Sequence, residues 1–380
     1  MKIYFFKFPL GASLGGAEFH SLQLAEYFQR QGHEVQLFSS DRRLFRLFEQ
    51  RRLPRRRLFV GYEPTSKPAL LLWPLTYFLA KRKFLKILAA VPNGSVFLFQ
   101  SLTEKLILTG PALKHGVKIF WLEHKIPGRW LWQNPLKFWY LKLSRLVQLV
   151  TVSNFAKQEF IKLGVPAKNI QIIYPGIKTG GLERPPFTRS YTIGLLSRLE
   201  PEKGILDFLQ ILGPYLKKRP NWQVLVAGTG SQNSQIQKLI TETALTNQVR
   251  LFGFVSSLDD FFSQIAVLVY PSLVPESFGL SIAQAQGRGI PVVASSRGAL
   301  SESVTHQKTG FLVEPGSPGQ WVAYLEKLTN PKIYQEMSAQ ARLAAVNFAE
   351  EKMFTAFHKL FFPAKIGKSL ASPLGGRQSD

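Results

Sequence analysis

VYPSLVPESFGLSIAQAQGRGIPVVASSRGALSESV, residues 269–304, decides how this chain is read. With the apolar residues before it, it opens on a buried strand, 266–270. A loop follows with Glu276, Phe278 and Gly279; a helix opens near Ser277, and Pro291 introduces another strand, 291–294. Strand, loop, helix and strand form the unit of a parallel α/β sheet. The N–H groups that open such a helix lack partners of their own and suit a phosphate. Gly279 lets that group approach the main chain. Glu276 can accept hydrogen bonds from hydroxyls, although the helix dipole alone also accounts for a carboxylate there.

Upstream, IGLLSRLEPEKGILDF (193–208) repeats the pattern. A strand at 191–196 is followed by Arg198, Lys203 and a helix at about 204–219. Two cations aimed at one point stabilise a leaving diphosphate as its charge develops. The alternative is a solvated loop in which Glu200 and Glu202 pair with both cations. Gly228-Thr229-Gly230 closes a strand at 223–227, but Asn233 breaks the dinucleotide fingerprint. A further strand is expected at 249–252.

The N-terminal half shows the same alternation. A strand at 2–8 leads to a loop with Gly11, Gly15 and Gly16, a helix at 17–31 and a strand at 34–38. More strands follow at 96–100, 117–122, 149–152 and 171–174, with Ser153 and Asn154 able to cap a helix. Residues 180–190, rich in Gly, Pro and Arg, read as a linker. The expected architecture is α/β: two Rossmann-like doubly wound domains, 1–183 and 184–348, facing a central cleft. A disordered tail is expected at 363–380. In such folds ligands bind at the carboxyl ends of strands, where every motif above falls.

The 380 residues are 45% hydrophobic and 19% charged, which suits a folded chain. With no cysteine, thiol chemistry and Cys-ligated metals are excluded. There is no Asp-x-Asp, and His20, His33, His115, His306 and His358 show no zinc spacing, so no metal is expected. His124 follows a strand in WLEHKIPGRW and can face the cleft, although a lone histidine is more often structural.

The net charge of +24 is uneven. Residues 1–190 hold 30 of the 48 Lys and Arg and 10 of the 24 acids, a net +20, which leaves +4 for 191–380. Segment 42–57 is dense in Arg, and 73–88 mixes Trp73, Tyr77, Phe78 and Phe84 with Lys and Arg. Such a surface suits an anionic membrane, at about 1 kcal/mol per cation near it, with aromatics at headgroup level. The alternative is a solvated basic face with Trp73, Tyr77 and Phe78 in the core. No nucleic-acid motif accompanies the charge, so nucleic acid is not an expected partner. The longest apolar run, 69–80, has 12 residues and contains Pro74. It is short of the roughly 20 a bilayer span needs. The N-terminus shows no signal-peptide pattern. The expected location is cytoplasmic, with a peripheral membrane contact.

In their order and spacing these stretches resemble the family 4 (group 1) glycosyltransferases, of the GT-B fold. The resemblance covers about residues 1–362. It rests on GGAE at 15–18, VSNFAK at 152–157, YPGI at 174–177, SRLEPEKG at 197–204 and AGTG at 227–230. LFGF at 251–254, residues 271–295 and TGFLVEPG at 309–316 complete it. It implies retaining, metal-independent transfer of a hexose from a nucleoside-diphosphate sugar, UDP or GDP being the carrier, without a cofactor. The implied acceptor is a glycan, lipid or lipid-linked molecule, in cell-envelope or exopolysaccharide synthesis. Arg198 and Lys203 would bind the diphosphate and Glu276 the sugar hydroxyls. Phe278, Gly279 and Leu280 would supply backbone contacts. Gly16 would border diphosphate and acceptor, and His124 would lie near the reacting sugar. Gly228 and Glu302 would belong to the donor side. A last helix, about 349–362, would return to the first domain.

Gln284 departs from the family, which has a second Glu there, bonded to the donor ribose. An amide still bonds hydroxyls but lacks the charge-assisted strength. Gly298-Ala299 replaces a usual Gly pair. Gln284 also supports a second reading, a catalytically impaired GT-B protein acting as a nucleotide-sugar or glycan-binding partner subunit. A dehydrogenase lacks its fingerprint here.

Overall fold

A computed structural model describes residues 1–8, 15–179, 191–255 and 257–363. The expected linker at 180–190, nearly all of the expected tail and Gly11 lie outside the described residues. The first sheet contains β1 (Lys2–Lys7), β2 (Glu34–Ser39), β3 (Arg55–Arg57), β4 (Val96–Phe99), β5 (Lys118–Glu123), β6 (Gln148–Thr151) and β7 (Ile170–Ile172). The second contains β8 (Tyr191–Leu196), β9 (Trp222–Ala227), β10 (Val249–Gly253), β11 (Val267–Tyr270), β12 (Val292–Ser295) and β13 (Gly310–Val313). Their orders are β3-β2-β1-β4-β5-β6-β7 and β10-β9-β8-β11-β12-β13, with every pairing parallel. Strand order reverses beside β1 and beside β8. At such switch points loops part and leave a crevice; the Gly15-Gly16 and Arg198 loops sit there.

Parallel strands buried on both faces read as continuous apolar runs, as Phe5-Phe6 and 267–270 do. Phe6, Phe97, Phe99 and Trp121 pack under the helices Trp73–Leu88, Leu102–Lys114 and Lys137–Ser144. Phe5, Leu98 and Leu122 pack on the other face with Gly16–Arg30, Arg42–Gln50 and Glu350–Phe361. That last helix, though C-terminal in sequence, completes the N-terminal core. Phe354 stacks on Tyr27 with ring centroids 4.3 Å apart, and Phe361 stacks on Phe28 at 5.1 Å.

Three local expectations change. The Arg-rich segment 42–57 is not simply a basic face. Asp41 caps the helix Arg42–Gln50 by accepting from the N–H of Arg43 and Leu44, and Leu44 and Phe48 anchor it in the core. Arg55–Arg57 is the edge strand of the sheet, with Arg55 paired to Glu49. Second, Gly310–Val313, inside the TGFLVEPG stretch, is a strand beyond those expected. Third, the helix expected near Ser277 begins at Leu280, with Gly279 as N-cap at φ +87°.

The chain passes between the two sheets twice, and the passages touch. The Ile177 N–H donates to Phe348 O at 2.8 Å and the Glu350 N–H donates to Ile177 O at 2.9 Å. A Cβ on Gly176 would lie 2.6 Å from Glu350 Cα, so the YPGI motif needs glycine for this contact. Around it Val152, Tyr174, Ile177, Phe278, Ala283 and Phe348 form a small core shared by the two halves.

Candidate functional site

On the C-terminal side the site is built by three loops at the carboxyl ends of β8, β9 and β11. Gly228 comes so close to the Arg198 loop that a Cβ would sit 1.8 Å from Ser197 O. Only glycine allows that approach, and Arg198 is held in place by it. Lys203 ends the short turn Pro201–Lys203, and its ammonium lies 2.6 Å from Glu276 Oε1. Ser272 Oγ donates to the same oxygen at 2.7 Å. Both partners of the ion pair are mostly buried, so removing either leaves a charge in a poorly solvated place. The loop itself is pinned from behind: Glu276 bridges to Gly298, and the Ala299 N–H donates to Glu276 O at 2.9 Å. Glu276 is thus not a helix cap. Burial, then the nearby Glu276 charge, holds the Tyr270 phenol well above its usual range.

The two acids in the Arg198 loop do not neutralise both cations. Glu202 pairs with Arg198 at 3.3 Å, in an exposed contact of little energetic weight. Glu200 instead accepts from Ser231 Oγ at 2.5 Å.

On the N-terminal side, His124 at the end of β5 lies with its Nε2 2.9 Å from His20 Nδ1. Burial pushes the His20 imidazole down to about 3, with help from the Lys7 charge. Burial also holds His124 well below its usual value, followed by the charges of Lys7, His20, Lys105 and Lys125. Both rings are therefore neutral at physiological pH, and one donates to the other. Lys7 forms an ion pair with Glu18 at 3.0 Å, and Glu18 also accepts from the Gly15 N–H at 2.8 Å. The Glu of GGAE is a helix-start carboxylate. Lys125 is lowered by burial and then by the charge of Arg198, across the cleft. The Arg198 charge of one half is thus felt at Lys125 of the other, a repulsion that an anion between them would relieve.

The halves meet at three further contacts. Ser277 Oγ donates to His124 O at 2.8 Å. A Cβ on Gly16 would sit 3.1 Å from Leu280 Cδ2. Glu302, expected at the donor, has both carboxylate oxygens engaged by the other domain. It accepts from the N–H of Asn154 at 2.8 Å and of Phe155 at 2.6 Å, which open the helix Asn154–Leu163, and from Tyr174 OH at 2.9 Å. The Tyr174 phenol is pushed up to about 12 by burial and then by that bond.

The structure therefore gathers Arg198, Lys203, Glu276 and Gly228 on one wall, and sets Gly16 and His124 against Leu280 and Ser277. The Phe278 side chain is buried against Tyr174 and Phe348, so only its backbone can meet a ligand. Gln284 is half-buried in the helix Leu280–Gly287. Sequence reasoning missed His20, Lys125, Tyr270 and Ser272. Lys125 had a signal in its position next to His124. His20, 104 residues from its partner, had none.

Comparisons with known proteins agree with this fold. The family model described as Glycosyltransferase Family 4 matches residues 14–180, and Glycosyl transferases group 1 matches 183–344. The chain belongs to the family 4, group 1 glycosyltransferases. Among similar chains, an uncharacterized glycosyltransferase of Methanocaldococcus jannaschii is 27% identical over 80% of this chain and 83% of its own. One of Haemophilus influenzae is 25% identical over 93% of this chain and 97% of its own. The fold matches that of Anabaena HepE, solved with UDP and glucose, at a TM-score of 0.77 and 19% identity, over 95% of this chain and 99% of that one. The architecture is GT-B, and the chain is a glycosyltransferase.

Proposed function

We propose that the chain transfers a hexose, with retention and without a metal, from a nucleoside-diphosphate sugar to a glycan, lipid or lipid-linked acceptor in cell-envelope or exopolysaccharide synthesis. The observation that carries this reading is a Glu276 anchored by Lys203 and Ser272; Arg198 in the neighbouring loop, whose charge reaches Lys125 of the other half, supports it. Arg198 and Lys203 stabilise the charge that grows on the diphosphate as the glycosidic bond breaks. Glu276, fixed by Lys203 and Ser272, accepts hydrogen bonds from sugar hydroxyls. The main chain at Phe278, Gly279 and Leu280 meets sugar and phosphate at the opening of a helix. A neutral His124, oriented by His20, can hydrogen-bond the sugar without setting a positive charge beside an electron-poor anomeric carbon. Gly16 borders diphosphate and acceptor. The carrier is UDP or GDP; HepE, described with UDP and glucose, makes UDP the first to try.

Thermal shift against UDP-, GDP-, ADP-, CMP- and dTDP-sugars, with and without magnesium, tests it. Ligand at about a hundredfold excess over Kd stabilises the fold by about 2.7 kcal/mol. The proposal expects a shift with one carrier, undiminished without magnesium and lost in Arg198→Ala and Lys203→Ala. Gln284 favours a second reading, a binding partner subunit. Donor hydrolysis that Glu276→Ala abolishes excludes that reading; donor binding with neither hydrolysis nor transfer supports it.

A further inference from the structure

The helix Trp73–Leu88 resolves the two readings of the aromatic, basic segment by splitting it. Trp73, Ala80, Phe84 and Leu88 are buried in the N-terminal core. The opposite face carries Leu72, Leu75, Phe78 and Leu79, and Leu71 at the end of the preceding helix joins them. Leu71 is 83% exposed and Phe78 69%. Phe138, also exposed, lies on the neighbouring helix, where Trp139 packs on Tyr77 at 5.3 Å. About one and two turns beyond Phe78 on the same exposed side stand Arg82 and Lys86, while the exposed Lys83 donates to Phe59 O at 2.7 Å. Residues 64–103 contain five Lys and Arg and no Asp or Glu. A contiguous apolar face with a cationic border is a surface that water alone does not favour.

Its place in the fold matters. The loop before it follows the carboxyl end of β3. Within that loop Glu63 accepts from the Leu102 N–H at 2.7 Å, just beyond the end of β4. Glu63 also lies in the field of Lys125, at the site. The apolar end of the helix therefore stands at the cleft edge of the sheet, and its cationic end points away. No described helix is long and apolar enough to cross a membrane.

We infer that this face, centred on Leu75 and Phe78, inserts shallowly into an anionic lipid surface and holds the mouth of the cleft against it. The apolar side chains enter the acyl boundary while Arg82 and Lys86 meet the headgroups. That the surface presents a lipid-linked acceptor to the cleft rests on the transfer reading above; the surface itself does not.

The test is co-sedimentation of the full chain with vesicles of phosphatidylcholine and phosphatidylglycerol, against phosphatidylcholine alone, at physiological salt. The wild type binds the anionic vesicles and is released as salt rises. Leu75→Glu with Phe78→Glu weakens partition by about tenfold or more, and Arg82→Gln with Lys86→Gln weakens it less. Both double variants keep the wild-type melting temperature and the nucleotide-sugar shift. Absence of wild-type binding, or equal binding by the Glu variant, overturns the inference. So does a dimer in light scattering that the Glu variant dissolves while neither protein binds vesicles. If vesicle binding behaves as stated while no nucleotide sugar shifts the melt, the transfer reading fails and the surface stands.

Discussion

The two halves share a doubly wound design but finish their polar groups differently. On the C-terminal wall, Glu276 holds Lys203 and Ser272, and its loop is braced by Gly298 and Ala299. Across the cleft, His20 Nε2, Gln100 Nε2, Thr103 Oγ1, Glu63 Oε2 and Glu104 Oε2 are buried without a partner. Burial pushes the Glu104 carboxyl up to about 7, and burial, then the Glu104 charge, raises Glu63 well above its usual range. Buried polar groups normally find partners, and exceptions gather where function strains the fold. Among the described residues the C-terminal half also leaves Gln232 Oε1 and Gln286 Oε1 without a partner, but only the N-terminal half leaves buried carboxylate oxygens so, at Glu63 and Glu104.

The largest effect that can break this contrast is on the C-terminal wall. Lys203→Ala or Glu276→Ala should lower the transfer rate by about 10²–10³, while vesicle binding stays intact. A loss of less than tenfold would remove the pair from the chemistry.

Next in size is Glu104. Its folded value lies above the ordinary 4.5, so its stabilising protonated form is fully present below that value and is lost as pH rises through about 7. Glu104→Gln stays neutral and keeps the capping geometry. Its unfolding free energy should gain on the wild type between about pH 5 and about pH 8, by up to about 3 kcal/mol, read from denaturant melts across that range. A pH-independent difference would mean that the carboxyl is not strained.

Glu302→Ala should cost about 2 kcal/mol, since it leaves two helix-opening N–H groups without their carboxylate. Calorimetry should then show the two halves melting less cooperatively. The smallest effect is Gln284→Glu, which should tighten nucleotide-sugar binding by up to about tenfold through a charge-assisted bond. Unchanged affinity would separate position 284 from the ribose.

Much of this was readable in the chain. Strands such as 191–196 and 267–270 are apolar throughout because both of their faces are buried, and the glycines mark close approaches. Arg55–Arg57 was not readable as a strand, because an edge strand facing solvent carries no apolar period. Trp73 and Phe78 look alike in sequence; only the phase of the helix against the core sends one inward and the other out. The His20–His124 pair and the reach of Glu302 to Asn154, 148 residues away, follow from how the two sheets are brought together. Local pattern holds no record of that.

The two passages of chain between the halves are zipped together at Ile177 and Ala349, so the halves are tied at one seam rather than by two separate strings. Glu302 bonds Tyr174 and a helix end close to that seam, so any turn of the halves about it would leave those bonds nearly unchanged. The outer lips of the cleft would sweep the widest arc in such a turn, and Arg198 and Lys125 would move toward each other in the same stroke.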